Sequence, residues 1–155
     1  MIATLAGGCF WCTEAIFRRL KGVEKVTPGY SDHVEAIQFT FDQKIIPYEK
    51  LLEIFFHLHD PTRIQQPGTL DTGPEYRSAI FYHDEAQKKV ALKMKSEIPK
   101  AITEIVPFMT FYPADESHRE YYEKNSYQPY CQVIIDPKIQ KLMSEYRADV
   151  KPEYV

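Results

Sequence analysis

The feature of this sequence that most limits its fold is a repeated change of hydrophobic period. Residues Ile2 to Ala6 form a short apolar run closed by Gly7-Gly8, the pattern of a buried strand entering a tight turn. From Trp11 to Leu20 the spacing becomes helical. Cys12, Ile16 and Leu20 recur every four residues, Phe17 lies beside them, and Arg18, Arg19 and Lys21 gather near the end, where they suit the helix dipole. Gly22 is read as the stop. Glu35 to Phe41 returns to period two, with Glu35, Ile37, Phe39 and Phe41 on one face and Ala36, Gln38 and Thr40 on the other. Pro47 suits the first turn of a second helix, whose Leu51, Leu52, Phe55 and Phe56 form one stripe. Ser78 to Tyr82 reads as a strand. Asp84 and Gln87 resemble a capping box for a helix with Ala91, Met94 and Ile98 inward, and Thr103 to Val106 reads as a further strand. The order β-α-β-β-α-β-α-β predicts an α+β fold, a mixed sheet covered by helices in two layers. Between His59 and Tyr76 there are three prolines, two glycines and little periodicity; a loop that long in a compact domain is usually functional or disordered. The tail from Asn125 to Cys131 is rich in turn residues and predicts coil, followed by a short helix over 138–147.

A chain of 155 residues fits one domain, residues 1–155. Apolar residues make up 44% and aromatic ones 14%, enough to close a core and leave apolar surface for a pocket. Nineteen Lys and Arg against 22 Asp and Glu leave a net charge of −3, with no isolated basic block, so the footprint of a nucleic-acid binder is missing. No apolar stretch approaches the roughly 18 residues of a membrane span. The N-terminus lacks a basic region, and Gly7 and Gly8 break its apolar run, so it does not read as a secretory signal. A cytoplasmic monomer with no nucleic-acid or membrane partner is expected.

Three cysteines are too few for a disulfide scaffold, but Cys9 and Cys12 form a Cys-x-x-Cys pair, which in a reducing compartment suggests metal or redox chemistry. The bland reading is that they are small buried hydrophobes. Cys9 falls between the Gly-Gly turn and the first helix. Backbone N–H groups and the positive end of the helix dipole converge there and favour the thiolate. Phe10 and Trp11 would set two large rings beside the sulfur, which suits a methyl or thioether group better than a polar one; without further context they read as core aromatics. Cys9, Cys12, Cys131 and a histidine (His33, His57, His59, His83 or His118) supply zinc-ligand types, but the second close-spaced ligand pair of a structural zinc site is missing, and no metal is expected. A thioredoxin-like dithiol oxidoreductase also uses Cys-x-x-Cys, yet its Trp precedes the first cysteine, whereas Phe10-Trp11 lie between the two here. A methionine-binding module without turnover is a third rival, separated from an enzyme by an assay with dithiothreitol.

Gly-Gly-Cys-Phe-Trp-Cys-Thr-Glu at 7–14 resembles the signature of the peptide methionine sulfoxide reductase A family. Four further segments in the same order are similar to that family's motifs: His33-Val34-Glu35-Ala36, Phe56-His57-Leu58-His59-Asp60-Pro61, Asp71 to Ser78, and Phe111 to His118. The resemblance spans nearly the whole chain. It implies a two-layer ferredoxin-like α+β sandwich and reduction of the S-epimer of methionine sulfoxide, free or in proteins, in the repair of oxidised proteins. It also implies no bound cofactor, with electrons from thioredoxin or, in vitro, dithiothreitol.

Carried over residue by residue, the resemblance makes Cys9 the nucleophile. Sulfoxide sulfur is electrophilic only when its oxygen is protonated or hydrogen-bonded, so thiolate attack needs an acid nearby. Glu35, on a face with Ile37, Phe39 and Phe41, is the candidate, since desolvation there favours its neutral form. The resemblance also implies that Phe10 and Trp11 cradle the substrate methyl group and that Asp71 and Tyr76 line the site. One departure stands out. The family carries a longer loop, often with a second site tyrosine, between the Gly29-Tyr30 pair and the His-x-Glu strand; here only Ser31 and Asp32 intervene, and Tyr30 is the candidate replacement. Attack leaves a sulfenic acid that a second thiol converts to a disulfide. Cys131, read as part of a mobile tail, is preferred as that thiol. Cys12 is the alternative, because an i, i+3 pair on a helix is about 5–6 Å apart at Cβ, wider than a disulfide spans.

Overall fold

A computed structural model describes residues 1–62 and 74–155. In chain order its elements are β1 (Ile2–Gly7), α1 (Phe10–Phe17), β2 (Val23–Ser31), β3 (Val34–Phe41), α2 (Tyr48–His57), β4 (Ser78–Tyr82), α3 (Glu85–Ser96), β5 (Glu104–Pro107), β6 (Tyr112–Pro113), α4 (Tyr121–Asn125) and α5 (Asp136–Tyr146). The strands form one sheet in the order β5-β4-β1-β3-β2-β6. Every pairing is antiparallel except β4 with β5, which α3 connects as a parallel crossover. The chain is therefore α+β with a mixed sheet.

β1 lies at the centre, so both of its faces are buried. Ala3 and Leu5 join Ile37, Phe39 and Ile80 on the face covered by α1, α2, Ala91 of α3 and Leu142 of α5. Ala6 joins Val34, Ala36, Ala79 and Phe81 on the other face, under Val106, Phe108 and Phe111. The alternation over 35–41 orients β3 as the sequence predicts, with Glu35 on the helix-covered face beside the core. Asp84 accepts from the Gln87 N–H at 2.8 Å, and the Gln87 side chain accepts from the His83 N–H at 2.9 Å, so α3 opens on a reciprocal cap.

α1 stops earlier than its periodicity predicts. Leu20 leaves the helix to form a β-bridge with Val150, fastened by Lys21 N–H to Asp149 O at 2.8 Å and Lys151 N–H to Arg19 O at 2.8 Å. A helical bond at the same place would compete with these tertiary ones. β2, whose residues the periodicity does not mark out, carries a bulge between Glu24 and Thr27, has Lys25 at φ 57° and contains Pro28, all of which break a period of two. Gly29 has a different reason to be glycine: a Cβ there would lie 2.4 Å from the Tyr112 carbonyl, so its absence lets β6 pack against β2.

The C-terminal segment carries more helix than the coil expected over 125–131. Tyr121–Asn125 is helical, and the chain then passes through a wide helical turn, Cys131–Ile135, whose Cys131 carbonyl accepts the Asp136 N–H five residues on, directly into α5. Cys131 and Ile135 are fully buried against α1. Turn-rich composition was a poor guide because tyrosines packing on α1, not local propensity, hold this segment. No described helix is long and apolar enough to cross a membrane.

Candidate functional site

The site is built outward from the strand-to-helix turn. Gly8 sits at φ 92°, a conformation that only glycine adopts at little cost, and it turns the chain from β1 into α1. Cys9 follows as the N-cap residue in extended conformation, 6% exposed, and its carbonyl accepts the Cys12 N–H at 3.1 Å. The sulfur therefore lies at the positive end of α1. The N–H of Phe10, the first helical residue, donates to Glu35 Oε1 at 3.1 Å, which ties the β3 carboxylate to the helix start. Tyr30 is the cross-strand partner of Glu35, and its ring meets Phe10 edge-on at 5.5 Å. Burial first, then the neighbouring Glu35 carboxylate and Cys9 thiol, push the Tyr30 phenol above its ordinary value. Cys9, Phe10, Glu35 and Tyr30 thus share one small volume.

The second half of the site comes from the C-terminal segment. Tyr121 stacks on the Trp11 indole with centroids 3.7 Å apart and planes 6° apart, and Tyr130 meets the same ring edge-on at 5.5 Å. The Trp11 indole N–H donates to His118 Nδ1 at 3.2 Å. Cys9, Cys12 and Cys131 lie in one buried cluster with Tyr76, Tyr121 and Tyr130 around it, and all three are thiols. Burial, with the Cys12 thiol and the Asp136 and Glu123 carboxylates next to it, pushes the Cys131 thiol up. Among the described residues, no group of three or more His, Cys, Asp or Glu side chains is arranged to hold a metal ion.

A polar latch fixes this segment to α1. Glu14, buried one helical turn on from Phe10 and Trp11, accepts the Glu120 N–H at 2.9 Å, and burial pushes its carboxyl up to about 7. Arg19, also buried, donates to the Ala15 carbonyl at 2.7 Å and to Glu123 at 2.6 Å between the rings of Tyr122 and Tyr154. Behind the turn, His59 is held between the Phe55 carbonyl, 2.5 Å from Nδ1, and the Ser78 hydroxyl, 2.8 Å from Nε2; burial pushes its imidazole down to about 4.

Of the site residues expected from sequence, Cys9, Phe10, Trp11, Cys12, Tyr30, Glu35, Tyr76 and Cys131 come together, and Asp71 lies outside the described residues. Sequence reasoning missed Tyr121 and Tyr130, and it quoted His118 as the end of a family motif and in a rejected zinc set without giving it a role in the site. The signal for them was there: Trp11 needs an acceptor for its N–H once half-buried, and the last third of the chain is crowded with tyrosines.

The family model described as Peptide methionine sulfoxide reductase matches residues 1–32 and 31–151. The chain belongs to the peptide methionine sulfoxide reductase family. It is accordingly an oxidoreductase. It is 45% identical over 172 residues to the Peptide methionine sulfoxide reductase MsrA of Saccharolobus solfataricus, with 97% of each chain covered. Among solved structures, Mxr1 from Saccharomyces cerevisiae in reduced form is similar with a TM-score of 0.74 and 30% identity, covering 86% of this chain and 90% of that one. Mxr1 in complex with Trx2 is similar with a TM-score of 0.53 and 30% identity, covering 78% and 84%.

The family match breaks at Ser31-Asp32, and the 172 aligned positions exceed the 155 residues of this chain, so the relative carries length absent here. At that place the structure joins β2 to β3 by a two-residue turn with Asp32 at φ 51° and His33 at φ 62°, the sign that a tight hairpin of type I′ demands. Arg77 donates to the Asp32 carboxylate at 3.2 Å and to Glu104 at 2.6 Å, bracing the short turn against β5. Tyr30 stays beside Glu35 in the site despite the missing loop.

Proposed function

We propose that this chain reduces the S-epimer of methionine sulfoxide, free and in proteins, through oxygen transfer to Cys9. The observation that carries the reading is the junction of β1, α1 and β3, where a thiol at a helix N-terminus and a carboxylate bonded to the next residue share an aromatic site. Phe10 and Trp11 hold the methyl group, and Glu35 delivers a proton to the sulfoxide oxygen. Tyr30 and Tyr76 line the oxygen side, with Asp71 assigned by its motif. The Cys9 thiolate attacks the sulfur of the protonated sulfoxide, and the hydroxyl then passes from that sulfur to the Cys9 sulfur as the transient sulfur–sulfur bond breaks and its electron pair returns to methionine, so the products are methionine and a Cys9 sulfenic acid.

Cys131 is the proposed resolving thiol. Its attack on the sulfenic acid forms a Cys9–Cys131 disulfide and releases water, and a dithiol reductant of the thioredoxin class returns both thiols by exchange. The buried cluster of Cys9, Cys12 and Cys131 supports this step better than the mobility expected from sequence, and the wide turn beginning at Cys131 supplies backbone that can rewind as the sulfur moves. Mxr1 seen with Trx2 supports the choice of reductant. The cycle takes two electrons from thiols and uses no bound cofactor, and it suits the reducing cytoplasm. The test is turnover with dithiothreitol on each epimer separately. Methionine from the S-epimer and none from the R-epimer is the expected result; no turnover of either, or equal turnover of both, contradicts the reading.

A further inference from the structure

We propose that His118 is a positioning residue that fixes the Trp11 indole as one wall of the methyl cradle, an inference that rests on the function proposed above. His118 is presented by a short turn that is itself braced. The Asp115 carboxylate accepts from the Ser117 N–H at 3.2 Å and the Ser117 hydroxyl at 2.7 Å, and the His118 N–H donates back to the Asp115 carbonyl at 2.9 Å. From this bracket the imidazole reaches both aromatic residues of the cradle. Nδ1 accepts the Trp11 indole N–H at 3.2 Å, and the ring centroid lies 5.4 Å from that of Phe10. With Nδ1 occupied as an acceptor, the proton of a neutral imidazole sits on Nε2.

Tyr121 lies flat against the indole and Tyr130 against its edge, but neither fixes rotation in the indole plane. Among the described residues, the directional contact of the indole N–H is with His118. Without that acceptor a half-buried N–H loses its partner, and the ring gains a reason to rotate away. The methyl group does not react, so its contact with the cradle is the same before and during oxygen transfer. A displaced Trp11 therefore weakens substrate binding and transition-state binding together, which raises KM and leaves the saturated rate alone.

Trp11 is the only tryptophan of the chain, so its emission reports this contact without substrate. The experiment compares wild type, His118→Leu and His118→Asn, whose amide oxygen can stand where Nδ1 stood. Folding of each is checked by circular dichroism. For His118→Leu the expected results are a shifted emission maximum, a KM raised roughly 2–10-fold, the factor one lost hydrogen bond is worth, and a saturated single-turnover rate within about twofold of wild type. His118→Asn is expected to restore both emission and KM. Unchanged emission and KM in His118→Leu would overturn the proposal, as would an Asn variant no better than Leu, or a fall in the saturated rate at constant KM. Emission is measured without substrate, so failure of the Trp11 bond and failure of the methionine sulfoxide reading are separate outcomes; the second is read from wild-type activity alone.

Discussion

The two halves of the candidate site are built in different ways. Cys9, Phe10 and Glu35 stand at the N-cap of α1, on α1 and on β3, at the centre of the fold, joined by the glycine turn from β1 and one backbone hydrogen bond to a carboxylate. His118, Tyr121, Tyr130 and Cys131 stand on a short 3-10 turn, a five-residue helix and a wide turn, held by side-chain stacking and the Glu14 and Arg19 latch. A position fixed by the sheet suits the bond-making step, which tolerates little displacement. A segment held by side chains can shift at modest cost, which suits the movement that the proposed resolving step asks of Cys131.

Substitutions can break or sharpen this contrast. Cys9→Ser is expected to abolish reduction entirely while leaving the fold intact, because the hydroxyl is not a soft nucleophile at neutral pH; methionine release in a stoichiometric assay checks it. Cys131→Ser is expected to keep the first turnover and lose the rest with thioredoxin, whereas Cys12→Ser turns over almost as wild type. A relay through Cys12 would instead stop both variants, and peptide mapping of the oxidised protein distinguishes a Cys9–Cys131 bond from Cys9–Cys12. Glu35→Gln is expected to slow the single-turnover chemical step by roughly 10²–10⁴-fold with substrate binding nearly unchanged.

The smallest effect separates the halves by pH. Burial holds the Glu14 proton to about 7 in the folded protein, against an ordinary 4.5. Its contribution is complete below about 4.5 and is lost as pH rises through about 7. His59 has the opposite sign: its imidazole falls to about 4 from 6.5, so stability is complete above about 6.5 and is lost as pH falls toward about 4. Between pH 5 and 8, Glu14→Gln is expected to lose less thermal stability than wild type, by an amount on the order of 1–2 kcal/mol or roughly 3–6 °C in Tm. Equal slopes for the two proteins would remove Glu14 from the latch.

The same contrast explains how far the sequence could be read. β1, β3, α2, β4 and α3 follow from their periods, and the place of Cys9 follows from the Gly-Gly turn. The alternation of β3 put Glu35 on the face of Ile37, Phe39 and Phe41, but Phe10, Trp11 and Glu35 were singled out as site residues by the family resemblance, since alone they read as core aromatics and a strand-edge carboxylate. β2 was not, since its bulge and Pro28 erase the period. The helical path into Cys131 was not legible because the neighbouring segment is packed by contacts more than 100 residues away in sequence, such as Glu14 with Glu120 and Trp11 with His118, which no local pattern records.

The most direct test of the central claim is to follow the oxygen atom. In a Cys12→Ser, Cys131→Ser double variant, one equivalent of the S-epimer without any reductant is expected to yield one methionine per chain and a single added oxygen on the Cys9 peptide by mass spectrometry. Methionine released with Cys9 unmodified, or the oxygen found on another residue, would contradict it.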